Sequence, residues 1–276
     1  KMSRIKECFE NLQADGQTAL IPYVTAGDPE PWVTVPLLHA LVDAGADIIE
    51  LGVPFSDPMS DGPVIQKACE RALKNDVTLD SILDMVKQFR EKNNHTPIVL
   101  MGYANPLEAM GYEKFAKKAQ AVGVDGVLTV DMPPEESDEF LRLMDVHDID
   151  TIFLVAPTTS AQRMQKIAQY AKGFIYYVSI KGVTGAAALE INEVTAKLEE
   201  IRKYTSLPVG VGFGIRDGRS AAAVAEVADA VVVGSTLVRC IEEHSNRPQE
   251  LPAAVASLLA EMRHAINARD LASVSA

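Results

Sequence analysis

Residues 18–53 read TALIPYVTAGDPEPWVTVPLLHALVDAGADIIELGV. An apolar, β-branched run (18–24) stops at the Gly27-Asp28-Pro29 turn. Leu37, Leu38 and Leu41 then recur at helical spacing from about Pro31 to Ala44, and a second short apolar run, DIIELGV (47–53), follows. A strand, a helix and a strand in so short a stretch form a βαβ unit with parallel strands. The turn after the first strand, TAGDP (25–29), is no dinucleotide-binding fingerprint, so it argues against an open doubly wound sheet.

The same unit recurs to the end of the chain. Helical patterns at Val64–Leu73 and Leu79–Glu91 follow the second strand. PIVLMGY (97–103) precedes helix 106–122, GVLTV (126–130) precedes helix 134–146, and TIFLVA (151–156) precedes helix 160–171. FIYYVS (174–179), PVGVGF (208–213) and AVVVG (230–234) are each again followed by helical sequence. Uninterrupted alternation implies parallel strands covered by helices. Eight such units predict a closed (β/α)₈ barrel, an α/β TIM barrel with extra helices. Gly210-Val-Gly212-Phe-Gly214 has Ile215 where a dinucleotide fingerprint needs its third glycine. No linker or low-complexity segment interrupts the pattern, so one domain over 1–276 is expected, with a loose tail from about Leu271.

At 47% hydrophobic and 23% charged the chain has ample material for a core. Its 26 basic and 38 acidic residues give −12, which argues against a nucleic-acid surface but leaves room for local anion binding. Cys8, Cys69 and Cys240 form no CxxC pair, so a reducing, cytoplasmic setting is expected. The N-terminus carries Arg4, Lys6 and Glu7 rather than a signal-peptide run, and the most apolar segment, Ala221 to Gly234, is broken by Glu226 and Asp229. Five histidines show no HExxH or i, i+4 pairing, so no metal is expected. Neither GxSxG nor a P-loop occurs. Lys181 is the lysine a Schiff base would have to use, in a glycine-bearing loop ill-suited to desolvating an amine. Trp32, early in a helix, is read as packing, and Met59, Met85, Met101 and Met110 as core or pocket filler.

In a barrel of this kind function collects at the C-terminal strand ends. Period-two alternation puts Ile48, Glu50 and Gly52 on one face and Asp47, Ile49 and Leu51 on the other. With Ile49 and Leu51 against the helices, Glu50 points into the barrel mouth, where burial raises a carboxyl pKa into the range of proton exchange. A surface Glu at a frayed strand end is the plainer alternative. Asp61 before Gly62-Pro63 reads equally well as a helix cap, and Asp57-Pro58 as a turn starter. The loops SIKGVTG (179–185), GVGFGIRDG (210–218) and GSTLV (234–238) bring glycines and a helix start at Ser235 to adjacent strand ends. That combination suits a phosphate, though glycines also simply permit tight turns.

Taken together, ELGVPFSDPMSDGPVIQ (50–66), YVTAGDP (23–29), GVTG (182–185), VGFGI (211–215) and VGS (233–235) closely resemble the α subunit of tryptophan synthase, from about residue 5 to 268. The resemblance implies a lyase of tryptophan biosynthesis that cleaves indole-3-glycerol phosphate to indole and glyceraldehyde 3-phosphate by a retro-aldol step. It implies Glu50 and Asp61 as catalytic acids, with Tyr176 in support. It places phosphate at Gly185, Gly214, Gly234 and Ser235. Tyr23, Met101, Leu128 and Phe213 are to wall the indole, and Thr184 is to close a loop over Asp61. It further implies docking, through Pro54 and Asp57, on a β subunit that carries pyridoxal phosphate, in an α₂β₂ heterotetramer, with no cofactor in this chain. The family's basic residue after strand six is displaced here, in Ser179-Ile180-Lys181-Gly182, which alters that loop's electrostatics. Two rivals stand beside it: another phosphate-binding barrel lyase or isomerase, and a non-catalytic regulatory α-like subunit. An indole-release assay separates them.

Overall fold

The computed structural model describes residues 2–178, 187–212 and 214–274. Nine parallel strands make one sheet: β1 Ala19–Thr25, β2 Ile49–Gly52, β3 Ile98–Gly102, β4 Gly126–Thr129, β5 Asp150–Thr151, β6 Phe153–Val155, β7 Ile175–Val178, β8 Val209–Gly212 and β9 Ala230–Val233. They pair in the order β5-β4-β3-β2-β1-β9-β8-β7-β6. The two ends of that order are consecutive in the chain, separated by Ile152 alone. β5 pairs with β4 and β6 with β7, so the run expected as one strand changes partner at Ile152 and thereby closes the barrel.

Alternation along the strands sorts side chains into two cores. Ile49, Leu51, Ile98 and Leu100 face outward, packing with Leu37, Leu41, Ile82, Val86 and Phe89 of the surrounding helices. Ile21, Ile48, Val99, Leu128, Ile152, Phe174 and Val232 fill the barrel interior. The first helix, Arg4–Ala14, lies outside the repeating β/α pattern and was not expected. Ser3 caps it by accepting from Lys6 N, and its Ile5 and Phe9 join the interior cluster. The Phe9 and Phe174 rings lie 5.7 Å apart, so this helix stoppers the N-terminal end of the barrel.

The same end is held by a recurring device. Asp47, Asp125 and Asp229 each stand just before or at the start of a strand and accept, all at 2.8 Å, the N–H of Leu20, Ile98 and Val209 in the adjoining strand. Each aspartate's own N–H returns to the carbonyl of that same residue. Guanidinium groups complete all three: Arg263 donates to Asp47 at 2.6 Å, Arg90 to Asp125 at 2.7 Å with Arg4 on its other oxygen at 2.9 Å, and Arg202 to Asp229 at 3.5 Å.

Several expectations are corrected. Helix 106–122 is two helices, Ala104–Met110 and Tyr112–Val122, divided at Gly111 with φ 93°, a conformation that suits glycine. The stretch from Pro134 opens as a single 3₁₀ turn, Pro134–Glu136, before the helix Asp138–Val146. Trp32 is 54% and Met59 89% exposed, so neither is packing filler. The last helix runs Leu251–Val274. Among the described residues no helix is long and apolar enough to cross a membrane.

Candidate active site

A cavity of about 530 Å³ opens at the C-terminal ends of the strands and is lined in part by Glu50, Asp61, Tyr23, Met101 and Tyr176. β2 delivers Glu50 as the alternation requires: Ile49 and Leu51 go to the helices, and Glu50 faces inward with no exposed surface. Among the described residues neither of its carboxyl oxygens has a hydrogen-bond partner. Burial alone, with no cation in compensation, pushes its pKa up to about 8. Such a carboxyl is largely neutral at pH 7 and can both give and take a proton.

Tyr176 on β7 and Tyr23 on β1 approach it from other strands. Burial, with a smaller contribution from the Glu50 charge, holds both phenols well above their ordinary pKa, so they stay protonated. Each ring lies across a glycine of the neighbouring strand. A Cβ at Gly212 would stand 2.4 Å from the Tyr176 hydroxyl, and one at Gly52 would stand 2.1 Å from that of Tyr23. These glycines are therefore present to admit a ring. The Tyr23 hydroxyl also lies 3.2 Å from Thr25 Oγ1.

Asp61 is the residue whose local sequence was ambiguous. The helix Pro63–Leu73 takes Gly62 as its N-cap and has no side-chain cap bond. The Asp61 carboxylate instead accepts from the Tyr103 hydroxyl at 3.0 Å, and that hydroxyl accepts from Ser60 N at 3.0 Å. Gln66 donates to the Asp61 carbonyl at 2.8 Å, and Phe55 packs on Tyr103 with centroids 5.3 Å apart. Burial raises the Asp61 pKa, while the Tyr103 bond opposes that rise. Tyr103, at the end of the third strand's sequence, was missed: its role depends on the 53–61 loop folding back over it, which strand periodicity does not encode.

The opposite wall has the chemistry of an anion site. Gly214 has φ 45°, and Gly234 starts the helix Ser235–Glu243 without a side-chain cap, leaving N–H groups of the first turn directed at the cavity. Thr236 Oγ1 donates to the Ile215 carbonyl at 2.6 Å, tying the loop after β8 to that helix. Gly214, Gly234 and Ser235 all line the cavity, as do Met101 and Val130. Leu128 lies one layer deeper, wholly buried in the interior cluster, and Val130, two residues on and on the same face, takes the lining position. Thr184, Gly185 and Phe213 lie outside the described residues, as does Lys181. Pro54 is buried and Asp57 exposed, so of the two only Asp57 offers surface in the free chain. Among the described residues no three His, Cys, Asp or Glu side chains converge as a metal site.

Comparison with known proteins agrees with this arrangement. The family model described as tryptophan synthase alpha chain matches residues 9–267. A tryptophan synthase alpha chain of Thioalkalivibrio sulfidiphilus is 61% identical over 96% of this chain and 100% of its own length. That of Nitrosococcus oceani is 58% identical over 98% of this chain and 99% of its own. The crystal structure of tryptophan synthase subunit alpha from Legionella pneumophila superposes with a TM-score of 0.91 at 46% identity, covering 97% of this chain and all of that one. A match of that extent, on a barrel with a buried inward-facing glutamate and a glycine-lined anion wall, leaves one assignment: the chain belongs to the tryptophan synthase alpha chain family.

Proposed function

We propose that the chain is a lyase that cleaves indole-3-glycerol phosphate to indole and glyceraldehyde 3-phosphate, as the α subunit in tryptophan biosynthesis. The observation that carries this reading is Glu50, wholly buried with both oxygens unpartnered and facing a cavity that Asp61 also lines. A buried carboxyl with no protein partner is costly unless a ligand supplies one.

The proton accounting suits the reaction. Breaking the bond between indole C3 and the side chain requires a proton at C3, and protonated Glu50 supplies it. The ring becomes an indolenine with positive charge developing at nitrogen, which the Asp61 carboxylate stabilises by accepting from the N–H. As the C–C bond breaks, the electron pair returns to the ring, indole is restored, and the hydroxyl on the adjoining carbon loses its proton as the aldehyde forms. Glu50, emptied by the first transfer, takes that proton and is ready again. A pKa of about 8 serves both transfers. Tyr176 confines the carboxyl, Tyr23 and Met101 wall the indole, and Gly214, Gly234 and Ser235, with Gly185, hold the phosphate. Leu128 supports that wall from beneath, Phe213 completes it, and Thr184 closes over Asp61.

The chain itself carries no cofactor. It works in the cytoplasm, docked through the loop bearing Pro54 and Asp57 on a pyridoxal-phosphate-dependent β subunit in an α₂β₂ assembly, and Met59 beside them adds an exposed apolar contact. Steady-state indole release from indole-3-glycerol phosphate by the purified chain, alone and with a β subunit, tests the reading. Absence of indole in both conditions overturns it.

A further inference from the structure

Two basic side chains, Arg216 and Arg239, line the same cavity as the two catalytic carboxylates. Most arginines elsewhere are committed to acids, among them Arg71 to Asp28, Arg90 to Asp125 and Arg263 to Asp47. The other two without an ion pair among the described residues, Arg142 and Arg219, lie outside the cavity lining. Among the described residues the guanidinium groups of Arg216 and Arg239 form no hydrogen bond or ion pair. Asp217, next to Arg216, is occupied as a helix cap, accepting from Ser220 N at 2.8 Å, and feels the Arg216 charge without forming an ion pair with it.

Their placement is specific. Arg239 follows Ser235 by four residues on the helix Ser235–Glu243, so the two share a face. Side chains on a helix lean toward its N-terminus, which directs Arg239 back over the Ser235 turn. Arg216 comes from the facing loop, next to Ile215, whose carbonyl is tied to Thr236 on that same turn. The two cations thus flank the glycine wall from the helix side and the loop side.

Electrostatics gives them a task. A helix N-terminus offers only about half an elementary charge, whereas a phosphomonoester near neutral pH carries nearly two. Glu50 and Asp61 lie in the same cavity, and the whole chain stands at −12. Neutral N–H donors alone would have to hold a dianion against that field. Two unengaged guanidinium groups reverse its sign locally, and their planar forks match phosphate oxygens.

We propose that Arg239 and Arg216 form a two-arginine rim over the phosphate end of the cavity, which makes the site selective for dianionic phosphomonoesters and draws them in against the molecule's negative charge. This rests on the lyase reading above. The test compares Arg239→Gln, Arg216→Gln, the double variant and Arg239→Lys with Arg219→Gln, a control of equal charge at an exposed arginine outside the cavity lining. Two quantities are measured at low and high ionic strength: KM and kcat for indole release, and the affinity for inorganic phosphate by calorimetry. Each cavity variant should raise KM and weaken phosphate binding by about 10-fold, the worth of one charged hydrogen bond. Arg239→Lys should recover part of the loss, and the salt dependence should flatten in the double variant. Arg219→Gln should match the parent protein. A double variant whose KM and phosphate affinity equal those of Arg219→Gln overturns the rim, as does a fall confined to kcat. Failure of the parent protein to release indole would overturn the lyase reading instead, and phosphate affinity would still decide the arginines.

Discussion

Glu50 shows how a single side chain is given its role by what surrounds it. Among the described residues nothing answers its carboxyl, so burial keeps the group largely neutral at pH 7. Replacing it by Gln keeps the shape and removes the proton traffic. Glu50→Gln should lower kcat by about 10³-fold, within the usual range for acid–base groups, while glycerol 3-phosphate binds nearly as before. Equal loss of both would make Glu50 a structural residue. In the parent protein kcat should decline as pH rises through about 8, where Glu50 loses the proton that the proposed reaction transfers to the ring. At Asp61 the control lies with Tyr103. Tyr103→Phe removes the bond that holds the Asp61 pKa down. The acidic limb of the kcat/KM profile should therefore move to higher pH, with a drop of roughly 5–10-fold at neutrality. An unmoved limb would mean that the hydroxyl serves only to order the loop. Glu50 was legible in the sequence because period two converts position into facing. Asp61 was not, because before Gly-Pro a helix cap and an acid held over a cavity look alike. Leu128, named as an indole wall from the resemblance alone, lies wholly buried in the interior cluster, a depth that neither motif nor alternation encodes.

At the scale of elements, the N-terminal end of the barrel carries a repeated aspartate clamp. The aspartates at 47, 125 and 229 precede or open β2, β4 and β9 and clamp the neighbouring strand. Arg90 and Asp125 are nearly fully buried, and their separation of 2.7 Å makes them a closed ion pair. Arg90→Ala would leave the buried Asp125 carboxylate with Arg4 alone as its cation among the described residues, costing about 2–3 kcal/mol and lowering Tm by roughly 5 °C. Indole release at low temperature should stay near normal, because the pair stands at the opposite end from the cavity. Calorimetry and an assay on one preparation check both halves of the claim. The stopper helix was legible too: Ile5, Cys8, Phe9 and Leu12 fall at i, i+3, i+4 and i+7. It escaped because the repeating β/α unit begins at the first strand, and only the closed barrel supplies a hole for those side chains to fill.

For the whole molecule, the Glu50 carboxyl ties stability to pH in the direction opposite to that of a salt-bridged acid. Its folded pKa of about 8 exceeds its ordinary value of 4.5. Below that ordinary value both folded and unfolded chains hold the proton and folding is unpenalised. Between the two values the unfolded chain ionises while the folded one does not, so stability falls as pH rises, levelling off above 8. Each pKa unit is worth about 1.4 kcal/mol, which puts the full effect at a few kcal/mol. Glu50→Gln should accordingly be more stable than the parent at pH 8, by roughly 5–10 °C in Tm, and indistinguishable from it near pH 4.5. Thermal unfolding across that range measures the difference, and a constant gap at all pH values would contradict it.

The stopper helix also has a consequence in time. Its partners are Asp125 for Arg4, Asp150 for Ser3 and Phe174 for Phe9. The last helix, in turn, reaches back through Arg263 to Asp47 and the Thr18 carbonyl at the beginning of the chain. During synthesis Arg4–Ala14 therefore emerges before it has anywhere to dock, because its seat is assembled from strands made later. Contacts so distant in sequence form late, after the loops between them have closed. Pulse-labelled amide exchange during refolding should find Arg4–Ala14 gaining protection after β2 and β3, a helix made before its seat settling after it.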